Sequence, residues 1–143
     1  MSDSIAITSG KGGVGKTTIA VNLSIAYKLL INQVLLLDTD LGMANSHVLL
    51  GINPELTLSD VINGKKTISD VAIKTVSGIE LVSGGSATSE LLNLSNHERY
   101  TVLNSIENYL SSKEKSKLIV DIAAGAEDSS VVFANSCNRI VVV

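Results

Sequence analysis

"TSGKGGVGKTT", residues 8–18, decides how the rest of the chain is read. Its core, "GKGGVGKT", fits G-x-x-x-x-G-K-[ST], running from Gly10 through Gly15, Lys16 and Thr17. Glycines let a backbone turn tightly enough for successive N–H groups to face phosphate oxygens, and a helix N-terminus behind them adds partial positive charge. Gly10, Lys11, Gly12, Gly13, Val14, Gly15, Lys16, Thr17 and Thr18 are therefore the candidate phosphate cradle. Lys16 is placed to neutralise β- and γ-phosphate charge, and the Thr17 hydroxyl to ligate Mg²⁺. The alternative is a plain flexible turn. One lysine suffices to hold a phosphate, so the second, Lys11, needs its own explanation.

The flanks give the motif its required context. "SIAITS" (4–9) is a short β-branched run ending at a glycine and reads as a buried strand. From Gly15 onward, Ile19, Leu23, Ala26, Tyr27 and Leu30 recur at three- and four-residue spacing, which predicts a helix with one apolar face. "QVLLLD" (33–38), "GIELVSG" (78–84), "KLIVDI" (117–122) and "RIVVV" (139–143) read as four further strands. Between them, "TLSDVING" (57–64) predicts a short helix stopped at Gly64. Ser95 and Glu98 make a capping-box pattern ahead of "YTVLNSIENYL", and "EDSSVVFANS" predicts another helix. Strands alternating with helices imply an α/β fold: a P-loop NTPase-type, mostly parallel sheet with helices on both faces. The last strand has no helix after it, so we expect residues 1–143 to be the N-terminal part of a single domain, truncated after the fifth strand.

A phosphate loop needs carboxylates to hold metal and orient water. Asp38 and Asp40 follow the second strand, and Asp121 ends the fourth, at the sheet edge where α/β folds bind ligands. Asp38, Asp40 and Asp121 are the candidate carboxylates for holding metal or orienting water. The alternative reading of each is a cap on the turn that follows.

Composition sets the outer limits. The 143 residues are 45% apolar and 17% charged, which suits a packed domain and excludes a disordered chain. Net charge is −3, with 11 Lys plus Arg against 14 acids, so no nucleic-acid footprint is expected. No apolar run reaches membrane-spanning length and no signal peptide is visible, which predicts a cytoplasmic protein. One cysteine, Cys137, allows neither an internal disulfide nor a cysteine-ligated metal, and is expected to be a buried hydrophobe within a helix. His47 and His97 are expected at the surface.

With its extra lysine, "KGGVGKTT" resembles the deviant Walker A motif of the MinD/ParA group of P-loop ATPases. In that group the early lysine reaches across a dimer interface to the partner's nucleotide. The resemblance implies that Lys11 acts in trans, that ATP and Mg²⁺ are the cofactors, and that ATP drives homodimerisation. "LLLDTDLGMANSHVLLG" is similar to the group's first switch region, where Asp40 would orient the hydrolytic water and Asp38 would stand near the metal. "LIVDIAAGAEDSSVVF" is similar to the Walker B and second switch region. There Asp121 would hold Mg²⁺ through water and Gly125 would present its amide to the γ-phosphate. On this basis the catalytic residues are Lys11, Lys16 and Asp40.

"DLGMAN", "NLSNHER" and "AAGAEDSSVVF" look closest to the flagellar-number regulator branch, of FlhG or FleN type. That branch implies slow ATP hydrolysis in the service of flagellum placement, with a flagellar GTPase or a transcription regulator as partner. Three departures stand out. Ile122 replaces the Thr or Ser usual after the Walker B aspartate. The N-terminal extension that engages the GTPase is not expected here, nor is the C-terminal amphipathic helix that binds membrane. Competing readings are a division-site selector, a partition ATPase, an iron–sulfur reductase (which needs more than Cys137) and a nucleotide-binding fragment without activity.

Overall fold

The computed structural model describes residues 3–40, 45–85, 94–125 and 128–143. Along the chain run β1 (Ser4–Thr8), α1 (Lys16–Lys28), β2 (Gln33–Asp38), α2 (Ser46–Leu49), α3 (Leu58–Ile62), α4 (Ile68–Val71), β3 (Ile73–Lys74) and β4 (Glu80–Val82). They are followed by α5 (Asn96–Ser111), β5 (Ser116–Asp121), α6 (Asp128–Asn135) and β6 (Arg139–Val142). The sheet order is β3-β4-β2-β5-β1-β6, parallel throughout except for the antiparallel β3. The five expected strands are present. The sixth, β3, has only two residues and no alternating pattern long enough to show in the sequence.

Period-2 alternation divides the apolar side chains between the two sheet faces. Leu35 and Leu37 of β2, Leu118 and Val120 of β5 and Ala6 of β1 join one core cluster with α5 residues Val102, Ile106 and Leu110. Val34, Leu36, Ile119, Ile5 and Ile7 join the opposite cluster, which α1 covers with Ala20 and Val21. The central strands are covered on both faces, which explains why "QVLLLD" carries no polar alternation. At the outer edge, Ile140, Val141 and Val142 of β6 remain exposed.

The face of α1 is only partly the expected one: Leu23 and Tyr27 are half-buried and pack against the core. Ala20, Val21 and Ser24 are buried, whereas Ile19 is exposed, Ala26 is exposed, and Leu30 lies past the helix end, also exposed. The reason lies at the first residue. Lys16 is itself buried, and fixing that side chain inward sets the rotation so that positions 20 and 24 follow it at i+4. Both carry small residues, and Ser24 Oγ closes onto the Ala20 carbonyl at 2.8 Å.

Two other expectations change. Cys137 lies just past the end of α6 and is half-buried; its Sγ faces the Phe133 carbonyl at 3.5 Å, and burial pushes its thiol pKa up. His97 is exposed as expected, but His47 is half-buried with a buried Nδ1 that has no hydrogen-bond partner. The expected helix over 57–64 forms as α3, followed by Gly64 at φ +71°.

The capping box on α5 forms as its sequence predicts. The Ser95 N–H donates to Glu98 Oε2 at 2.7 Å, and the Glu98 N–H donates to Ser95 Oγ at 3.3 Å. The Ser95 hydroxyl and amide on Glu98 hold its carboxyl below the usual glutamate range. A folded-state pKa below the unfolded one contributes stability at higher pH, and this is lost as pH falls through the lowered value. Glu98→Gln, which keeps the reach but removes the charge, should lower Tm at neutral pH. The gap to wild type should close under acid, below the ordinary glutamate range. A gap that persisted there in thermal unfolding would assign the cap to shape rather than charge.

Candidate functional site

Parallel register brings three strand ends level. Asp38 of β2 pairs with Asp121 of β5, and Ile7 of β1 pairs with the same Asp121. The loop that follows β1 therefore arches over the carboxyl ends of β2 and β5. Gly13 at φ +75° and Gly15 at φ +94° take the left-handed backbone that the turn requires, and Gly15 is the N-cap of α1. Ser9 steadies the start of the loop: its hydroxyl donates to the Lys11 carbonyl at 2.8 Å.

A cavity of about 460 Å³ opens above this edge, lined among others by Gly12, Gly13, Gly15, Lys16, Thr17 and Thr18. Asp40, Asn45, Val48 and Leu49 wall it on the β2 side, and Ser9 and Ala124 complete it. Of the cradle predicted from sequence, Gly10, Lys11 and Val14 do not line this cavity, and Lys11 is exposed. Asn45, Val48, Leu49 and Ser9 were not singled out in the sequence. For Val48 and Leu49 the sequence shows only an apolar pair after a loop, which local pattern does not connect to the cavity; the structure leaves both exposed.

Beneath the cavity floor, Lys16 Nζ forms an ion pair with Asp121 Oδ1. Asp121 has no exposed surface, and its Oδ2 has no hydrogen-bond partner. Thr39, also missed in the sequence, ties β2 to β5 here: its N–H and its hydroxyl both donate to the Asp121 carbonyl at 2.9 Å. Asp38 is nearly as buried. Its Oδ1 accepts from the Asp40 N–H at 3.1 Å and its Oδ2 from the Ser46 N–H at 3.0 Å, so it does cap the turn into α2. Burial first, and the Asp121 charge in addition, raise the Asp38 pKa above the usual aspartate value against the pull of those amides.

Gly125, at φ +102°, donates its N–H to the Ser9 carbonyl at 3.2 Å, linking the segment after β5 to the glycine loop. Ile122 is wholly buried in the core cluster that includes Phe133 and does not face the cavity. Among the described residues no group of three or more His, Cys, Asp or Glu side chains gathers as a metal cluster. Parts of "DLGMAN", "NLSNHER" and "AAGAEDSSVVF" (residues 41–44, 93 and 126–127) lie outside the described residues.

With that geometry in place, comparison with known proteins becomes specific. Residues 5–139 match the CobQ/CobB/MinD/ParA nucleotide binding domain. The chain belongs to this family. It is 40% identical over 139 residues to the antiactivator FleN of Pseudomonas aeruginosa, covering 97% of this chain and 49% of that protein. It is 31% identical to the flagellum site-determining protein YlxH of Helicobacter pylori, again over 97% of this chain and 47% of the relative. Among solved structures, the septum site-determining protein MinD of Pyrococcus horikoshii, complexed with Mg-ADP, superposes with a TM-score of 0.82 at 28% identity. That match covers 100% of this chain and 58% of the other. The chain thus spans about half the length of the curated relatives it matches.

The backbone at Gly15 supplies a direct check on the loop. A Cβ there meets no atom within 4 Å, so the whole effect of a side chain is the local cost of left-handed φ. Gly15→Ala should destabilise the protein by about 1–2 kcal/mol in denaturant titration. An unchanged midpoint would mean the loop relaxes to another φ.

Proposed function

We propose that this chain is the N-terminal part of a single P-loop ATPase domain that binds ATP with Mg²⁺, hydrolyses it slowly and dimerises on ATP to regulate flagellum placement or number. The observation that carries the reading is the buried Lys16–Asp121 pair under a glycine loop that caps α1. That pairing is what a nucleotide site needs, with a cation under the phosphates and a carboxylate at the metal position. The flagellar assignment draws on the similarity to FleN and YlxH over nearly the whole chain.

The residues fit the cofactor. In the bound site Gly12, Gly13, Gly15, Thr17 and Thr18 would cradle phosphates with Lys16. Thr17 and Asp121 would hold Mg²⁺, with Asp38 nearby; the unpartnered Asp121 Oδ2 is a buried acceptor awaiting a donor or a cation. Mg²⁺ commonly takes only one or two protein carboxylates, with phosphate and water completing its shell. Asp40, half-buried in the cavity wall, is the residue placed to orient an attacking water. Gly125 would turn its amide to a γ-phosphate only by releasing Ser9, which makes that amide a means of telling triphosphate from diphosphate.

Lys11 is exposed and does not line the cavity, which leaves it accessible to a second subunit. A lysine whose counter-charges exist only in an ATP-loaded partner stabilises the dimer and not the monomer. Division-site selection is the second reading, favoured by the structural likeness to the Pyrococcus MinD. No helix among the described residues is long and apolar enough to cross a membrane.

Lys11→Ala should bind ATP as wild type does yet fail to dimerise with ATP in sedimentation velocity; normal dimers would remove the trans role. Asp40→Ala should dimerise normally and lose about 100-fold or more in turnover, the range for a lost water-orienting carboxylate. Wild-type phosphate release by that variant would take Asp40 out of the chemistry.

A further inference from the structure

Parallel register also aligns the turns that lead into β4, β2 and β5. Leu35 pairs with Glu80 and Gln33 with Ser116, so residues 75–79, 29–32 and 112–115 stand side by side at the amino edge of the sheet. Two of these turns touch: Lys28 Cε lies 3.1 Å from where a Cβ at Gly78 would stand. The three most exposed large apolar side chains among the described residues sit here, Val76 at 104%, Leu29 at 84% and Leu30 at 79%. Scattered exposed aliphatics need no explanation, but a group on adjoining turns does.

Their exposure is built into the backbone. The Thr75 N–H and hydroxyl both donate to the Ile79 carbonyl, at 2.9 and 3.0 Å, which holds Val76 at the tip of its turn. The Leu30 N–H donates to the Tyr27 carbonyl at 2.8 Å and keeps the chain wound past α1. Ile31 then packs against the core while Leu29 and Leu30 stay outside. Charge at this edge is positive, although the chain carries −3 overall. Lys113 pairs with Glu80 and Lys117 with Asp3. Lys28, Lys74 and Lys115 have no ion pair among the described residues; Lys28 reaches only the Asn32 carbonyl. On these turns Glu114 is the acid left to offset them.

We propose that this edge docks on an anionic phospholipid bilayer, with Leu29, Leu30 and Val76 entering the headgroup–acyl boundary and Lys28, Lys74 and Lys115 facing lipid phosphates. A protein partner is met best by a patch packed to matching shape. Aliphatics that protrude from turn tips offer no such surface. A bilayer interface deforms around them, and lets lysine stems lie along acyl carbon with each ammonium among the headgroups. The acidic remainder of the molecule opposes this little, since surface charge is screened within about 10 Å. The edge lies at the opposite end of the strands from Lys16 and its cavity, so lipid and nucleotide do not compete for it.

The test is co-sedimentation of the full chain with vesicles of equal parts phosphatidylglycerol and phosphatidylcholine, and with phosphatidylcholine alone. Wild type should partition about 30-fold more strongly onto the anionic vesicles, the factor for two net positive charges at such a surface. Leu29→Ser, Leu30→Ser and Val76→Ser combined should weaken that binding by about 100-fold or more. Tm should not move, because the three side chains are exposed. Lys74→Glu with Lys115→Glu should abolish the preference for anionic lipid. The chain has no tryptophan, so Val76→Trp reports on this turn alone. Its emission should shift to the blue on the anionic vesicles and be quenched by brominated acyl chains. Wild-type binding that the serine variant keeps, or a bound Val76→Trp with unshifted emission, puts lipid contact elsewhere and overturns the proposal. Absence of wild-type binding to both vesicles overturns it too, and leaves the edge to a protein partner.

Discussion

The contact between Lys16 and Asp121 organises this structure. One residue opens α1 and the other closes β5, and they are 105 positions apart in the chain. Only a parallel arrangement with β5 between β1 and β2 brings the loop after β1 over the end of β5. A buried ion pair adds little net stability, since its mutual attraction is offset by lost hydration. What it supplies is orientation. It sets the rotation of α1, so that Ala20 and Ser24 meet the sheet and larger residues such as Ile19 turn outward.

The same edge concentrates polar groups that the interior would otherwise reject. Asp38, Thr39, Ser46 and Asp121 are all buried there, and most of their demands are met by backbone groups of neighbouring turns. Asp121 Oδ2 and Ser46 Oγ are the exceptions. Satisfied groups fix geometry, while an unsatisfied one in a fixed setting is a site for something else. The fold therefore does two opposite things at one edge: it closes a packed sheet, and it leaves buried polar atoms unpaired beside a cavity.

Much of this was legible from local pattern. Strands buried on both faces announced themselves as uninterrupted apolar runs, and the box at Ser95 and Glu98 placed the start of α5 at the right residue. Asp38 and Asp121 could be assigned to the sheet edge because each ends a run. The misses share a cause. Counting apolar residues along α1 finds Leu23 and Tyr27, which pack against the core, but not the buried Lys16, Ala20 and Ser24, which such a count does not see. Thr39, Asn45 and Val48 reach the site through pairings across the sheet or through the path of a loop, and neither is written in nearest neighbours. The two residues of β3 pair only because Thr75 turns the chain back, its N–H donating to the Ile79 carbonyl at 2.9 Å.

The account turns on the edge of β1, β2 and β5 taking a magnesium nucleotide through Lys16. Isothermal calorimetry with Mg-ATP, on wild type and on Lys16→Ala with circular dichroism to establish that both are folded, tests this most directly. The account predicts saturable binding of one nucleotide per chain that Lys16→Ala abolishes. Equal binding by both proteins, or none by a folded wild type, would contradict it.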